Sequence, residues 1–203
     1  MNQTQELFTD DATRFDAGTL PKVFNSEWRR LATVRECSIS EVGGFIDAHY
    51  LRSRPAVVVL VLKMEVRGVP VGMIVFSIPP IETEKTFGGK TWELARLYLI
   101  DEMPKNAETF LIGKAIRYIK RNRKDVQHLV SYADPSQGHS GLIYKASNWI
   151  ECGSTDSERK TPRHDYFDAT GKKYGRRGNI PSGTIIEKRP RVQKLRFHFP
   201  LNP

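Results

Sequence analysis

"WELARLYLIDEMPKNAETFLIGKAIRYIK" spans residues 92–120 and joins two periodicities. Its first third, read from Thr91 as "TWELARLYLI", is an apolar and aromatic run that suits a buried strand. The last third places Ile112, Ala115, Ile116 and Ile119 on one face of a helix of about 106–122. Between them "DEMPKNAET" is a polar connection. A strand feeding a helix through so short a loop is half of a βαβ unit, so the stretch argues for an α/β protein. Lys114, Arg117, Arg121 and Lys124 share a second helix face, which suits solvent as well as it suits DNA.

The flanking sequence extends the same pattern. "LATVREC" (31–37) reads as a strand, and Ser38-x-x-Glu41 is a capping box opening a helix to about Leu51, stopped by Arg54-Pro55. "AVVVLVLKMEV" and "VPVGMIVFSI" flank Arg67-Gly68 and predict a hairpin. On the C-terminal side, "HLVSYA" is the fifth strand. It is followed by a helix of about Ser140–Ser147 and a strand near Trp149–Cys152. In that helix Leu142, Ala146 and Trp149 form the expected core stripe, with Tyr144 pointing off it. One more strand is expected at Arg163–Phe167. The order β-α-β-β-β-α-β-α-β implies a mixed central sheet flanked by helices on both faces.

Charge divides the chain. Residues 1–158 carry 20 Lys and Arg against 20 Asp and Glu, whereas residues 159–203 carry 12 against 3. The whole net charge of +9 therefore lies in the last stretch, where basic residues alternate with Gly, Tyr and Phe. Such clusters neutralise phosphates. Three segments follow: an N-terminal arm (1–25), a catalytic domain (26–168) and a basic C-terminal extension (169–203). In the extension Lys172, Lys173, Arg176, Arg177, Lys188, Arg189 and Arg191 are the expected DNA contacts. Removing residues 172–203 is expected to weaken duplex binding and flatten its salt dependence. No apolar run approaches the ~20 residues that span a bilayer. The polar start is no signal peptide, and two cysteines, Cys37 and Cys152, signal neither disulfides nor a zinc finger. A cytoplasmic protein without a membrane partner is expected.

"LIYKASNWI" (142–150), placed after the fifth strand, resembles the GNAT fold of the N-acetyltransferase superfamily. That likeness implies that Tyr144 protonates a leaving thiolate. Three longer blocks are similar to the Mom family of phage DNA-modification proteins: "HYLRSRP" (49–55), residues 92–120 and "SYADPSQGHSGLIYKASNW" (131–149). The resemblance implies a transferase that converts adenine in duplex DNA to N6-(carbamoylmethyl)adenine, shielding phage DNA from restriction. One departure stands out. Acetyltransferases cradle the CoA pyrophosphate in a glycine-rich loop opening the helix after strand four. Here that place reads "PKNAETFLIGKA", whose one glycine, Gly113, lies inside the helix.

The candidate site residues sit at element ends. His49, as base or metal ligand, and Tyr50 close the first helix. Ser131 faces the site from strand five, Asp134 ends that strand, and Tyr144 follows. These five are the expected catalytic set. Arg96, costly to bury unpaired, is expected to meet Glu93, Glu108 or an anionic ligand. Lys105, Asn106, Glu108, His139 and Asn148 complete the expected substrate and donor contacts. The donor stays open between an acetyl-CoA-like molecule and an activated glycine. A metal such as iron is a further possibility on His49, Asp134 and His139. Adenine N6 is a weak nucleophile, so proton removal and a flipped-out base are expected. An acyl-CoA-dependent N-acetyltransferase acting on an amine or peptide, and a non-catalytic DNA-binding protein, are the alternatives.

Overall fold

The computed structural model describes residues 27–157, 159–174 and 183–201. The proposed arm at 1–25, with Arg176 and Arg177, lies outside them. In chain order the elements are α1 (Trp28–Leu31), β1 (Ala32–Glu36), a 3-10 turn at Ile39–Val42, α2 (Gly43–Ala48), β2 (Val58–Val66) and β3 (Val69–Ser77). Then come α3 (Ile81–Phe87), β4 (Thr91–Leu99), α4 (Ala107–Asn122), β5 (His128–Ala133), a 3-10 turn at Pro135–Gln137 and α5 (Leu142–Lys145). The chain continues through β6 (Ile150–Ser154), β7 (His164–Phe167), β8 (Lys173–Tyr174), β9 (Glu187–Pro190) and β10 (Leu195–Pro200).

Seven strands form a mixed sheet in the order β1-β2-β3-β4-β5-β10-β6, and β8-β7-β9 form a small second sheet. The β2–β3 hairpin turns at Arg67 and Gly68 with φ of 53° and 79°. Two left-handed residues in succession give the turn whose twist matches the strands. The capping box at Ser38 and Glu41 is present, but the first helix ends at Ala48, short of Leu51. There the His49 carbonyl accepts the Arg52 N–H at 2.7 Å, beginning a turn. Helix α4 buries Leu111, Ile112, Ala115, Ile116 and Ile119, the spacing that its sequence period requires. Thr83 of α3 bonds Tyr132, whereas Tyr144 of α5 bonds the neighbouring Ser131. Successive strand residues point to opposite faces, so these two helices cover opposite sides of the sheet.

Several features depart from the sequence reading. Helix α3 and the strands β8, β9 and β10 were not expected. Strand β10 pairs with β5 from Leu195↔Ala133 to Pro200↔His128, and on its other edge with β6. Phe197 on it is fully buried. The boundary expected at residue 169 therefore does not follow the sheet, because the chain's last strand lies inside it. Finally, α5 is one turn long. Leu142 is 70% exposed and Ala146 is exposed too, while Tyr144 is buried at 7%. A helical wheel misplaces all three, because it assumes a longer helix than forms. Among the described residues no helix is long and apolar enough to cross a membrane.

Candidate active site

β4 and β5 are the parallel pair of the sheet, and their ladder is short: Thr91↔His128, Trp92↔Leu129 and Glu93↔Val130. Beyond Glu93 the strands part, although β4 runs on to Leu99 and β5 to Ala133. A cavity of about 540 Å³ opens there, lined from both strands, from the end of α2 and from the 138–144 segment. Ser131 marks the split. Its hydroxyl lies 2.8 Å from the Leu94 carbonyl of β4 and 2.8 Å from the Tyr144 hydroxyl.

The 138–144 segment reaches the cavity because Gly138 and Gly141 both take left-handed φ, 74° and 77°. At Gly141 a Cβ would lie 2.1 Å from the Phe197 ring, so only glycine lets this turn press on β10. Tyr144 then stacks on Phe197 at 5.0 Å and meets Trp149 at 5.4 Å. Its phenol is pushed up to about 12 by burial, so it carries its proton at neutral pH.

His49 is 7% exposed, and its Nδ1 accepts the Leu51 N–H at 3.2 Å. Burial, with the charges of Arg96 and His139 adding to it, brings its pKa down to about 4. The ring is therefore neutral, and with Nδ1 accepting, its proton sits on Nε2. It is a hydrogen-bond donor first and a poor base. Tyr50, 41% exposed, packs on His49 at 4.5 Å and on His139 at 5.1 Å, an aromatic group at the cavity's solvent side.

Arg96 departs from expectation. Its Nε and Nη2 donate to the Ser53 carbonyl and hydroxyl at 3.0 and 3.2 Å, and its Nη1 to the Ala95 carbonyl at 2.6 Å. Neither Glu93 nor Glu108 pairs with it, and among the described residues no carboxylate lies within ion-pair distance. A cation that faces a cavity with neutral oxygens on its N–H groups and its acid, Glu93, acting only from beyond ion-pair distance can receive an anion.

Asp134 also takes a different place. Its Oδ1 accepts from Ser136 N and Oγ at 3.0 and 2.6 Å, and its Oδ2 lies 3.1 Å from Lys194 Nζ. This is the Asx turn that an Asp-Pro pair makes. Burial pushes its pKa up, but the Ser136 bonds and the Lys194 ammonium outweigh that and hold it low. Asp134 is not among the cavity's lining residues. Nor are Ser131, Lys105, Asn106 and Asn148, whereas His49, Tyr50, Arg96, Glu108, His139 and Tyr144 are. Glu93, Tyr98, Asp101, Tyr132 and Lys194 also line it. Glu93 entered the sequence reading only as a counter-ion. The available signal was its position, an acid between two buried apolar residues, Trp92 and Leu94, of a strand. Burial pushes its carboxyl up, against the pull of Arg96 and Lys194.

Two groups that the fold or the residue types suggest can be tested against this geometry. Among the described residues no three His, Cys, Asp or Glu side chains stand close enough to share a metal ion. His49, Asp134 and His139 thus do not form a ligand set. For CoA, the pyrophosphate place would be the start of α4. There Asn106 is left-handed at φ 70° with no side-chain cap, and the Ala107 N–H is taken by the Pro104 carbonyl. Glu108 stands in the first helical turn, with Asp101 also on the cavity wall. A polyanion would meet like charge there, so these residues do not fit CoA.

The model of the Mom protein family matches residues 33–202. The methylcarbamoylase mom of Escherichia phage Mu is 38% identical over 65 residues, which cover 32% of this chain and 27% of that protein's length. Among solved structures, a ribosomal-protein-S5-alanine acetyltransferase from Vibrio fischeri aligns with a TM-score of 0.52 at 10% identity, over 85% of this chain and 94% of that one. A spermidine N-acetyltransferase from Vibrio cholerae, crystallised with CoA and spermine, aligns at 0.51 and 9%, over 85% and 96%. An N-acetyltransferase from Staphylococcus aureus Mu50 gives 0.50 and 16%, over 84% and 99%. At these identities the structures establish the acetyltransferase fold and nothing of the chemistry.

Proposed function

The chain belongs to the Mom protein family, and on that premise we propose that it is a phage DNA-modification transferase that alkylates adenine N6, giving N6-(carbamoylmethyl)adenine and sparing the DNA from restriction. The family match carries this reading. The cavity between β4 and β5 supports it, because it offers the proton-handling groups that a weak amine nucleophile needs. Adenine in a duplex must be flipped out to reach such a cavity, and Tyr50 with His139 gives the base an aromatic surface at the entrance.

The reaction forms a bond between N6 and the donor's methylene carbon. The bond from that carbon to its leaving group breaks, and the electron pair departs on the leaving group. The N6 proton passes to a base, and of the three carboxylates on the cavity wall Glu93 is the one whose pKa burial raises, which suits it to take that proton. His49 Nε2–H is a donor for charge that develops on the leaving group, and the Tyr144 hydroxyl becomes one when its proton turns away from Ser131 Oγ, whose own proton the Leu94 carbonyl holds. Arg96 holds an anionic part of the donor. Ser131 and Asp134 act as positioning residues: the first ties Tyr144 to β4, and the second holds Lys194 at the rim. The acetyltransferase alternative rests on the fold, and the acidic start of α4 speaks against it.

Mass spectrometry of nucleosides from DNA of cells expressing the protein tests the reading. An adenosine heavier by a carbamoylmethyl group is expected. Unmodified adenine alongside acetylated amines or peptides would overturn it in favour of the alternative.

A further inference from the structure

The small β8-β7-β9 sheet has two faces of different chemistry. Directly opposed residues share a face, so the pairs Asp165↔Arg189, Phe167↔Glu187 and Phe167↔Lys173 define one. Its charges are satisfied internally. Asp165, 7% exposed, is held by Lys173 at 2.6 Å and by Arg191 at 2.8 Å. Arg189 pairs with Glu187 and lies 4.6 Å over the Phe167 ring. Three of the seven basic residues that the sequence offers as DNA contacts are thus occupied in holding the sheet together.

The pairs Tyr166↔Tyr174, Tyr166↔Lys188 and His164↔Pro190 define the other face. Lys172 joins it, with its ammonium 5.2 Å over the Tyr174 ring. Lys172 and Lys188 are exposed, and neither has a carboxylate within ion-pair distance among the described residues. The acid on this side, Asp168, is spent on its own turn, accepting from Thr170, the Lys172 N–H and the Tyr174 hydroxyl. Two free ammonium groups among half-buried tyrosines and a histidine make a surface for a phosphodiester backbone.

This sheet is also placed beside the cavity. It lies in the chain between Thr155 and Lys194, and those two residues bond each other twice. The Thr155 N–H donates to the Lys194 carbonyl at 2.8 Å, and the Lys194 N–H to Thr155 Oγ1 at 2.9 Å. Lys194 itself lines the cavity and pairs with Asp134. The insertion is therefore rooted at the cavity's rim.

We propose that the face bearing Tyr166, Tyr174, Lys172 and Lys188 holds the backbone of duplex DNA next to the adenine being modified, while Lys173, Arg189 and Arg191 serve the sheet's own stability. The proposal rests on the reading of DNA as substrate. Its test is a fluorescence-anisotropy titration of a short mixed-sequence duplex with the full chain at several salt concentrations. The Lys172→Ala/Lys188→Ala protein should bind more weakly, with the slope of log K against log salt shallower by about 2, roughly 0.9 per phosphate contact. Lys188→Gln alone should reduce the slope by about 1. Arg189→Ala should keep the slope and lower the melting temperature. If wild type modifies DNA and both lysine variants keep its slope, this assignment is wrong and the DNA reading stands. If wild type neither binds nor modifies duplex DNA, both fall.

Discussion

Glu93 and Asp134 are carboxylates on the two strands that part, and their surroundings move them in opposite directions. Asp134 is ionised and engaged by Ser136 and Lys194. Glu93 faces the cavity, and burial raises its pKa above the ordinary 4.5. Of the two, the raised one is the better proton acceptor near neutral pH. Glu93→Gln should therefore lower the modification rate by about 10²–10⁴ and remove the rise of rate with pH through the Glu93 titration. A stability effect accompanies it, with a defined sign. The folded state holds the extra proton, so stability falls as pH rises from about 4.5 through the folded pKa, and the variant should lack that fall. Rate–pH profiles and melting temperatures of both proteins check this; an unchanged rate profile would return the base to another group. Much of this site was legible residue by residue, because His49, Tyr50, Arg96 and His139 sit at element ends or in a strand that had to expose a charge. Glu93 was not, since an acid three residues before an arginine reads as its counter-ion. Tyr144 was misplaced for a different reason: its packing on Phe197 depends on a strand more than fifty residues away.

Periodicity identified the elements that make their contacts locally. The β2–β3 hairpin and the buried stripe of α4 repeat apolar residues over 9 and 16 residues, long enough for the pattern to show. Strand β10 has equal structural weight and no such signal. "LRFHFP" alternates apolar residues with Arg196 and His198 inside a run of positive charge, and reads as a solvated tail. Its role comes from non-local pairing: Phe197 fills the space under Gly141, and β5 and β6 do not touch each other without it. The end of the basic extension is therefore part of the central sheet, and removing it takes out a strand. A chain ending at Lys194 should lose cooperative unfolding and remain largely insoluble. Burial of one Phe side chain is worth roughly 1.5–3 kcal/mol, and two strand ladders would be lost with it. Circular dichroism melting of that truncation, beside a chain shortened only at 202–203, is the measurement. A normal cooperative melt would show that β10 is dispensable.

At the scale of the whole molecule, an acetyltransferase fold carries a site that does not suit the acetyltransferase cofactor. The fold supplies what any group transfer between two small partners needs: a parallel strand pair that parts, and a helix starting beside the gap. For a donor that carries a pyrophosphate, the charge at that helix start is the test. In this chain Glu108 occupies the first turn of α4, Asp101 stands on the same cavity, and the cavity's arginine, Arg96, is anchored to Ser53 rather than to the helix. Acetyl-CoA should accordingly leave the melting temperature unchanged. A ligand bound by the folded state alone at about 100 times its Kd stabilises by about 2.7 kcal/mol, which in a domain of this size is several degrees. Differential scanning fluorimetry with millimolar acetyl-CoA would detect that. No shift, in a protein that modifies DNA in cells, is the expected result and points to a donor without a pyrophosphate. A shift of several degrees, abolished by charge reversal at Lys105, would mean that the helix start accepts the polyanion despite its acids. The acetyltransferase alternative would then be favoured by a binding observation as well as by the fold.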